Sequence, residues 1–368
     1  MRDRNDSNTT AKGTETFMRT KRYDLAKGIG ILLVVMGHLE YISEPLRYFI
    51  VSFHMPLFFV ISGMLMLEAS EEKKEPRAFV GKKLSRMGIP YLLYSIAFLI
   101  IEVLYGYMTG TFEKWTFIQD IWLGISLYGI SVLWFLPAMF FGMLWFYLVR
   151  RRFSHRVTLI ILCIMPVMSY GFTFVLEAYK AATVYNFILS ELYYVMAMAL
   201  RSVFACFYLG AGYYFCYLLK KKKYTEIKPF PATLISAVLL ALVAYLSQVN
   251  GPVDLHFLIF GNPLIYLFDS MAGSLAVILI SFALERIADT LFCRVLIYYG
   301  INSLTVMATH INFYILYGSI IFVMHLMKYI EHAKGYLFCP LIVVTVFAVE
   351  AAVIEGIEVL KKIVTKRA

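Results

Sequence analysis

The chain reads as an all-α integral membrane protein of about ten transmembrane helices with both termini in the cytoplasm. Three observations lead there. Hydrophobic residues make up 61% of the chain and charged ones 16%, where a soluble globular protein has about 25% charged residues. Mean hydropathy is +0.73. Apolar windows of about 20 residues, long enough to cross a bilayer, recur along the whole length between short charged loops.

Ten such windows lie near residues 24–43, 48–68, 88–109, 132–149, 157–176, 200–219, 231–248, 264–284, 302–326 and 336–356. The fourth is short and opens on LWFLP, where Pro137 suits a first helical turn or a kink. Segments 116–130 and 186–199 read as interfacial or re-entrant pieces. With the N-terminus inside, 27 of the 34 Lys and Arg residues fall on the cytoplasmic side. Five fall outside, Arg47, Lys114, Lys180, Lys328 and Lys334, and Lys27 and Arg201 lie within spans. That bias is what the positive-inside rule expects, and a missed span would scramble it.

The domain reading follows: residues 1–20 a disordered cytoplasmic tail, 21–358 the transmembrane domain, 359–368 a basic cytoplasmic tail. The first 20 residues lack an apolar core, so no cleavable signal peptide is expected. A net charge of +10 invites a nucleic-acid partner, but the charges sit in short loops between apolar spans, which argues for none. The bilayer is the expected partner, with a multi-pass membrane location. The five cysteines show no CxxC spacing, so neither a disulfide framework nor a metal site is indicated.

Chemistry concentrates in four stretches. In RYDLAKGIGILLVVMGHLE, ten residues separate Lys27 from His38. Eleven steps at roughly 100° return a helix to within about 20° of its starting face, and at ~1.5 Å each they set the two groups ~16 Å apart on one stripe. An ionisable group that deep is costly unless paired or wet, so its default reading is functional. The plain alternative is a His bonded within the bundle and a Lys snorkelling to the headgroups. In SFHMPLFFVISG, His54 precedes Pro56 at a helix start and should lie near the outer end of the first helix. An interfacial His held by backbone carbonyls is its other reading.

KKLSRMGIPY places Lys82, Lys83 and Arg86 at the cytoplasmic entrance of the third helix, suited to anionic headgroups or to the phosphates of an acyl carrier. In YYGINSLTVMATHINFY, His310 stands about two turns into the ninth helix with Asn302, Ser303, Thr305 and Thr309 near it. Arg201 and Asp269, near the outer ends of the sixth and eighth helices, either pair with each other or bind a polar acceptor. No GxSxG elbow, phosphate loop, dinucleotide fingerprint or HExxH appears.

At these residues the chain resembles the membrane-bound acyltransferase-3 family, in its branch of sugar O-acetylases related to fucose acetylases. The basic residue, ten positions and a His on the first helix carry the likeness, followed in order by SFHMPLFFVISG, RMGIPY, LWFLPAMF and GINSLTVMATH. The stretch VDLHFLIFGNPLIYLFDSMAGS at 253–274 resembles the acetylase branch, and the likeness covers roughly residues 20–355.

The resemblance implies an O-acyltransferase that moves an acetyl group from cytoplasmic acetyl-CoA, a co-substrate, to a hydroxyl of a cell-envelope polysaccharide or lipid-linked glycan precursor. No permanently bound cofactor is implied. His38 matches the catalytic His and Lys27 its basic partner, Lys here where many members have Arg. The extracytoplasmic hydrolase-like domain of some relatives is not expected. A neutral His suits removal of a hydroxyl proton at pH 7. His54 or His310 would orient the acceptor or stabilise the oxyanion. Lys27, Lys82, Lys83 and Arg86 would hold the carrier's phosphates, and Arg201, Asp269, Asn302 and Ser303 would contact the acceptor. The rival reading is a polysaccharide exporter or transporter using the same buried polar groups as a path. The absence of a visible inverted repeat counts against it.

Overall fold

A computed structural model of the protein describes residues 20–183, 187–221, 227–328 and 337–367. Among them the sole β pairing is one antiparallel bridge between Asp254 and Ile259. In chain order the helices are α1 (Lys21–Gly37), α2 (Glu44–Val51), α3 (His54–Glu68), α4 (Pro76–Lys83) and α5 (Ile89–Thr109). Then come α6 (Lys114–Ile125), α7 (Phe135–Arg152), α8 (His155–Thr183), α9 (Phe187–Lys221) and α10 (Pro229–Asn250). The chain closes with α11 (Pro263–Leu284), α12 (Leu291–Ile301), α13 (Ser303–Thr309), α14 (Ile315–Met327) and α15 (Phe338–Arg367).

Among the described residues, eight helical stretches are long and apolar enough to cross a membrane, or nine if α12 and α13 count as one bent span. Helix α1, at 17 residues, is at the short end of what crosses. Most expected spans therefore have a helix. The expected tail at 1–20 lies outside the described residues except for Thr20, and α15 stays helical to Arg367 instead of ending in a tail after residue 358.

Three local expectations are corrected. Residues 187–199 are not a separate interfacial piece but the first turns of the 35-residue α9. The piece near 116–130 is the 12-residue α6, too short to span. The ninth span, expected as one helix over 302–326, is broken: α12 and α13 meet at 68°, and helix resumes only at Ile315. Asn302 lies at the bend with φ −98° and ψ 14°, and its Nδ2 donates back to Tyr298 O at 2.9 Å. An Asn amide competing with the backbone in this way favours a break. Broken helix at membrane depth persists where it is buried in protein or lines a cavity. Here the break delivers His310, which is fully buried, to the end of α13.

Small residues bring the central helices together. A Cβ on Gly63 of α3 would fall 1.9 Å from Leu209 O of α9, and one on Gly212 of α9 would fall 1.9 Å from Val60 O of α3. The two backbones cross in contact, which only glycine on each side permits. This crossing fixes α3, the helix on which the site is built.

Candidate active site

Helix α3 has a cavity at each end. The cavity at its first residue, about 450 Å³, is walled by His38, Arg47, His54, Trp134, Asp254 and His256 together with apolar neighbours. That volume is within the ~300–1,000 Å³ of small-molecule sites. The cavity at its last turn, about 620 Å³, is walled by Glu68, Glu71, Lys74, Lys82, Lys83 and Arg86 among others. Fifteen residues of α3 at ~1.5 Å each put the two ends ~22 Å apart. Between them Phe58 and Phe59 pack on Phe135, with ring centroids 6.0 and 4.9 Å away.

Three histidines share one geometry. His38 Nδ1 lies 2.8 Å from Val34 O, His54 Nδ1 3.0 Å from Ile50 O, and His310 Nδ1 2.8 Å from Val306 O. A carbonyl oxygen only accepts, so each Nδ1 carries the hydrogen and each neutral ring keeps a lone pair on Nε2. His310 Nε2 also sits 3.3 Å from His38 Nδ1. The His38 Nδ1–H is therefore shared between Val34 O and the His310 lone pair. His38 Nε2 is left as a base in the wall of the cavity. Helix α1 ends at Gly37, so His38 stands at the helix end and not within a regular turn.

The roof of this cavity is the 251–262 connection between α10 and α11. Asp254 pairs with Ile259 across a tight turn, and its Oδ1 accepts from the backbone N–H groups of His256 and Phe257 at 2.7 and 3.1 Å. Burial nonetheless pushes the Asp254 carboxyl above its usual range. The His256 ring lies parallel to Trp134, interplanar angle 4°, and burial, with the charge of Arg201 adding to it, holds its pKa down at about 2. Its Nε2 is buried with no hydrogen-bond partner.

Arg201 pins this roof. Its Nε donates to His256 O at 2.7 Å, one Nη donates to Tyr128 O at 3.0 Å, and its guanidinium lies 4.0 Å above the Tyr128 ring. An Arg201–Asp269 ion pair, one of the two expectations for these residues, is not formed. Arg201 spends its donors on backbone carbonyls and aromatic faces, and both oxygens of the fully buried Asp269 are without a hydrogen-bond partner.

At the other end of α3 the expected basic cluster is present, with its lysines engaged by one carboxylate. Lys82, Lys83 and Lys74 all converge on the buried Glu71 carboxylate, Lys83 at 2.8 Å and Lys74 at 3.0 Å. Arg86 lines the same cavity and forms no ion pair among the described residues.

The structure thus brings His38, His54 and His310 to one place, as the sequence suggested, and Lys82, Lys83 and Arg86 to another. Lys27 lines neither cavity; its Nζ pairs with Asp24 at 2.8 Å on its own helix. Arg201, Asp269, Asn302 and Ser303 do not line the histidine cavity either. Sequence reasoning passed over Arg47, Trp134, Asp254, His256 and Glu71. One signal pointed to Arg47: it is among the five basic residues on a face otherwise almost free of them. For Glu71 the sequence held little signal, since Glu72 and Glu75 stand in the same loop.

Comparison with known proteins adds one finding. A family model described as an acyltransferase domain matches residues 20–353. No curated protein and no solved structure gives a significant match.

Proposed function

The chain belongs to the acyltransferase family whose domain model it matches over residues 20–353, and on that premise we propose that this membrane acyltransferase carries acetyl groups from acetyl-CoA to a sugar hydroxyl. The acceptor would be a cell-envelope polysaccharide or a lipid-linked glycan precursor at a bacterial plasma membrane. The sugar O-acetylase branch is the narrower reading, supported by the likeness of residues 253–274. That stretch supplies Asp254 and His256 to the cavity wall.

The observation that carries the proposal is the unprotonated Nε2 of His38 in the wall of the cavity it shares with Arg47 and Asp254, with its Nδ1–H held by Val34 O and His310. The acceptor hydroxyl attacks the thioester carbonyl carbon while His38 Nε2 takes its proton. The imidazolium so formed keeps its Nδ1–H on the His310 lone pair, as the orienting member of a catalytic triad would hold it. Collapse of the tetrahedral intermediate breaks the C–S bond, and the proton passes from His38 to the leaving sulfur. His54, another lone-pair acceptor at Nε2, orients the acceptor through a neighbouring hydroxyl. Asp254 and His256 offer acceptors for sugar hydroxyls.

The donor's phosphates would sit at the basic cavity, on Arg86 and on whichever of Lys82 and Lys83 a phosphate draws from Glu71. Its pantetheine arm would follow α3 and α1 past Phe58 and Phe135 toward His38. Lys27, paired to Asp24, supports α1 along that path. Purified protein should release free thiol from acetyl-CoA faster when envelope glycan is added, and the acetyl group should appear on the glycan. No thiol release with any glycan fraction would overturn the proposal.

A further inference from the structure

An acyl transfer builds negative charge on the thioester carbonyl oxygen, and a site must present hydrogen-bond donors where that charge develops. The histidines do not serve. His54 and His310 have spent their Nδ1–H groups on Ile50 O and Val306 O, which leaves each neutral ring only a lone pair at Nε2, that of His310 already turned to His38. His38 is committed as the base. Asp254 offers oxygens that accept and do not donate. Among the described residues lining the cavity, Arg47 is the sole Lys or Arg.

Arg47 is also held in place. One Nη donates to Leu39 O at 3.0 Å, which ties the guanidinium to the residue directly after His38. Its Nε is buried and has no partner. The charge lies within electrostatic range of the His38 ring. The guanidinium is part-buried, and a buried N–H left unspent on it is costly unless something occupies it. Resting on the acyl-transfer reading above, we infer that Arg47 is a catalytic residue, donating its free N–H groups to the oxyanion of the tetrahedral intermediate formed beside His38. The acceptor's C–O bond forms as the carbonyl π pair moves onto oxygen; Arg47 holds that oxygen until the pair returns and the C–S bond breaks.

The geometry also explains why the guanidinium, and not an ammonium, stands here. Arg47 must bond Leu39 O and still present donors elsewhere, which its planar fork allows in one fixed orientation.

The test compares wild type, Arg47→Lys and Arg47→Met for acetyl transfer, using acetyl-CoA and fluoroacetyl-CoA as donors. Removing an oxyanion donor typically costs ~10²–10³ in kcat, so Arg47→Met should lose that much with both KM values within about twofold. Arg47→Lys should fall between. Fluorine stabilises the tetrahedral oxyanion by itself, so the loss should be smaller with fluoroacetyl-CoA. That ratio of donors is independent of the folded fraction, so a partly misfolded variant still reports. A rise in acceptor KM at unchanged kcat would overturn the role in favour of acceptor binding. An equal loss with both donors would overturn it in favour of a structural tie to Leu39. A wild type without thiol release would overturn the acyl-transfer reading itself, whereas an active wild type whose Arg47→Met variant keeps its kcat overturns the Arg47 role alone.

Discussion

His310 Nε2 stands 3.3 Å from His38 Nδ1, with the two ring centroids 5.1 Å apart and tilted by 59°. The contact joins positions 272 residues apart in the chain. It exists because α1 ends one residue before His38 and because the ninth span breaks, turning α13 so that its last turn faces α1. An unbroken helix would have continued the ladder past His310. In this arrangement the second ring acts on the first, not on substrate.

Loss of either ring should therefore differ in degree. His38→Ala should lower kcat by ~10²–10⁴, the usual worth of a general base. His310→Ala should cost less, because Val34 O still holds the His38 Nδ1–H at 2.8 Å. His310→Gln, which offers an amide oxygen as acceptor, should recover part of the difference. The measurement is kcat for acetyl transfer in purified variants of equal thermal stability. A His310→Ala variant with wild-type kcat would remove His310 from the mechanism.

Donor binding should respond to the basic cavity. Arg86→Ala should raise KM for acetyl-CoA with kcat little changed, since a phosphate contact is shared by ground and transition states. Lys82→Ala and Lys83→Ala should do so less, because both ammonium groups are engaged by Glu71. Glu71→Gln makes the opposite prediction: it frees Lys82 and Lys83 and should lower that KM. Donors truncated before the nucleotide phosphates should be insensitive to all four changes. If wild type used the truncated donor equally well, the cluster would only anchor headgroups.

Much of this was readable from the chain, and the limits have physical causes. Composition and the Lys/Arg bias gave the class and nearly all the spans, because each span must satisfy its own backbone in lipid. His38 and His310 stood out as ionisable groups within apolar spans, and His54 as one at the start of a span. The break at Asn302 did not, since hydropathy is blind to a side chain that bonds its own backbone. Nor did Asp254 and His256: they lie in a connection whose position depends on Arg201 reaching His256 O and Tyr128 O across 55 and 73 residues. Glu71 was hidden for a related reason, as a loop carboxylate shows nothing of the three lysines that fold onto it.

Sidedness is open to a direct check. The 27-to-5 distribution of Lys and Arg predicts that both termini lie in the cytoplasm. A C-terminal fluorescent fusion should fold and fluoresce, and a reporter active only outside the cytoplasm should stay silent at the same position. The reverse pattern would put the Glu71 cavity on the wrong side for a cytoplasmic donor.

The same Glu71 sets an acid limit on the fold. Burial by itself would raise its carboxyl, but the hydrogen bonds from Lys82, Lys83 and Lys74 outweigh burial and hold the pKa at about 2, against an ordinary 4.5. A carboxyl depressed in the folded state stabilises the fold fully above the unfolded value, and that contribution drains away as pH falls through the folded one. The window is therefore pH 4.5 down to about 2. The ion pairs Lys21–Asp289 and Lys361–Glu358 sit in solvent and should add little to it. Across this window the melting temperature of the wild type should fall more steeply than that of Glu71→Gln. At pH 7 the variant should already be the less stable, by ~1.5–3 kcal/mol for hydrogen bonds lost to charged groups. The two curves should approach each other near pH 2. Parallel slopes for wild type and Glu71→Gln would mean that the three lysines gain nothing from this carboxylate, and that the acid sensitivity has its origin in another group.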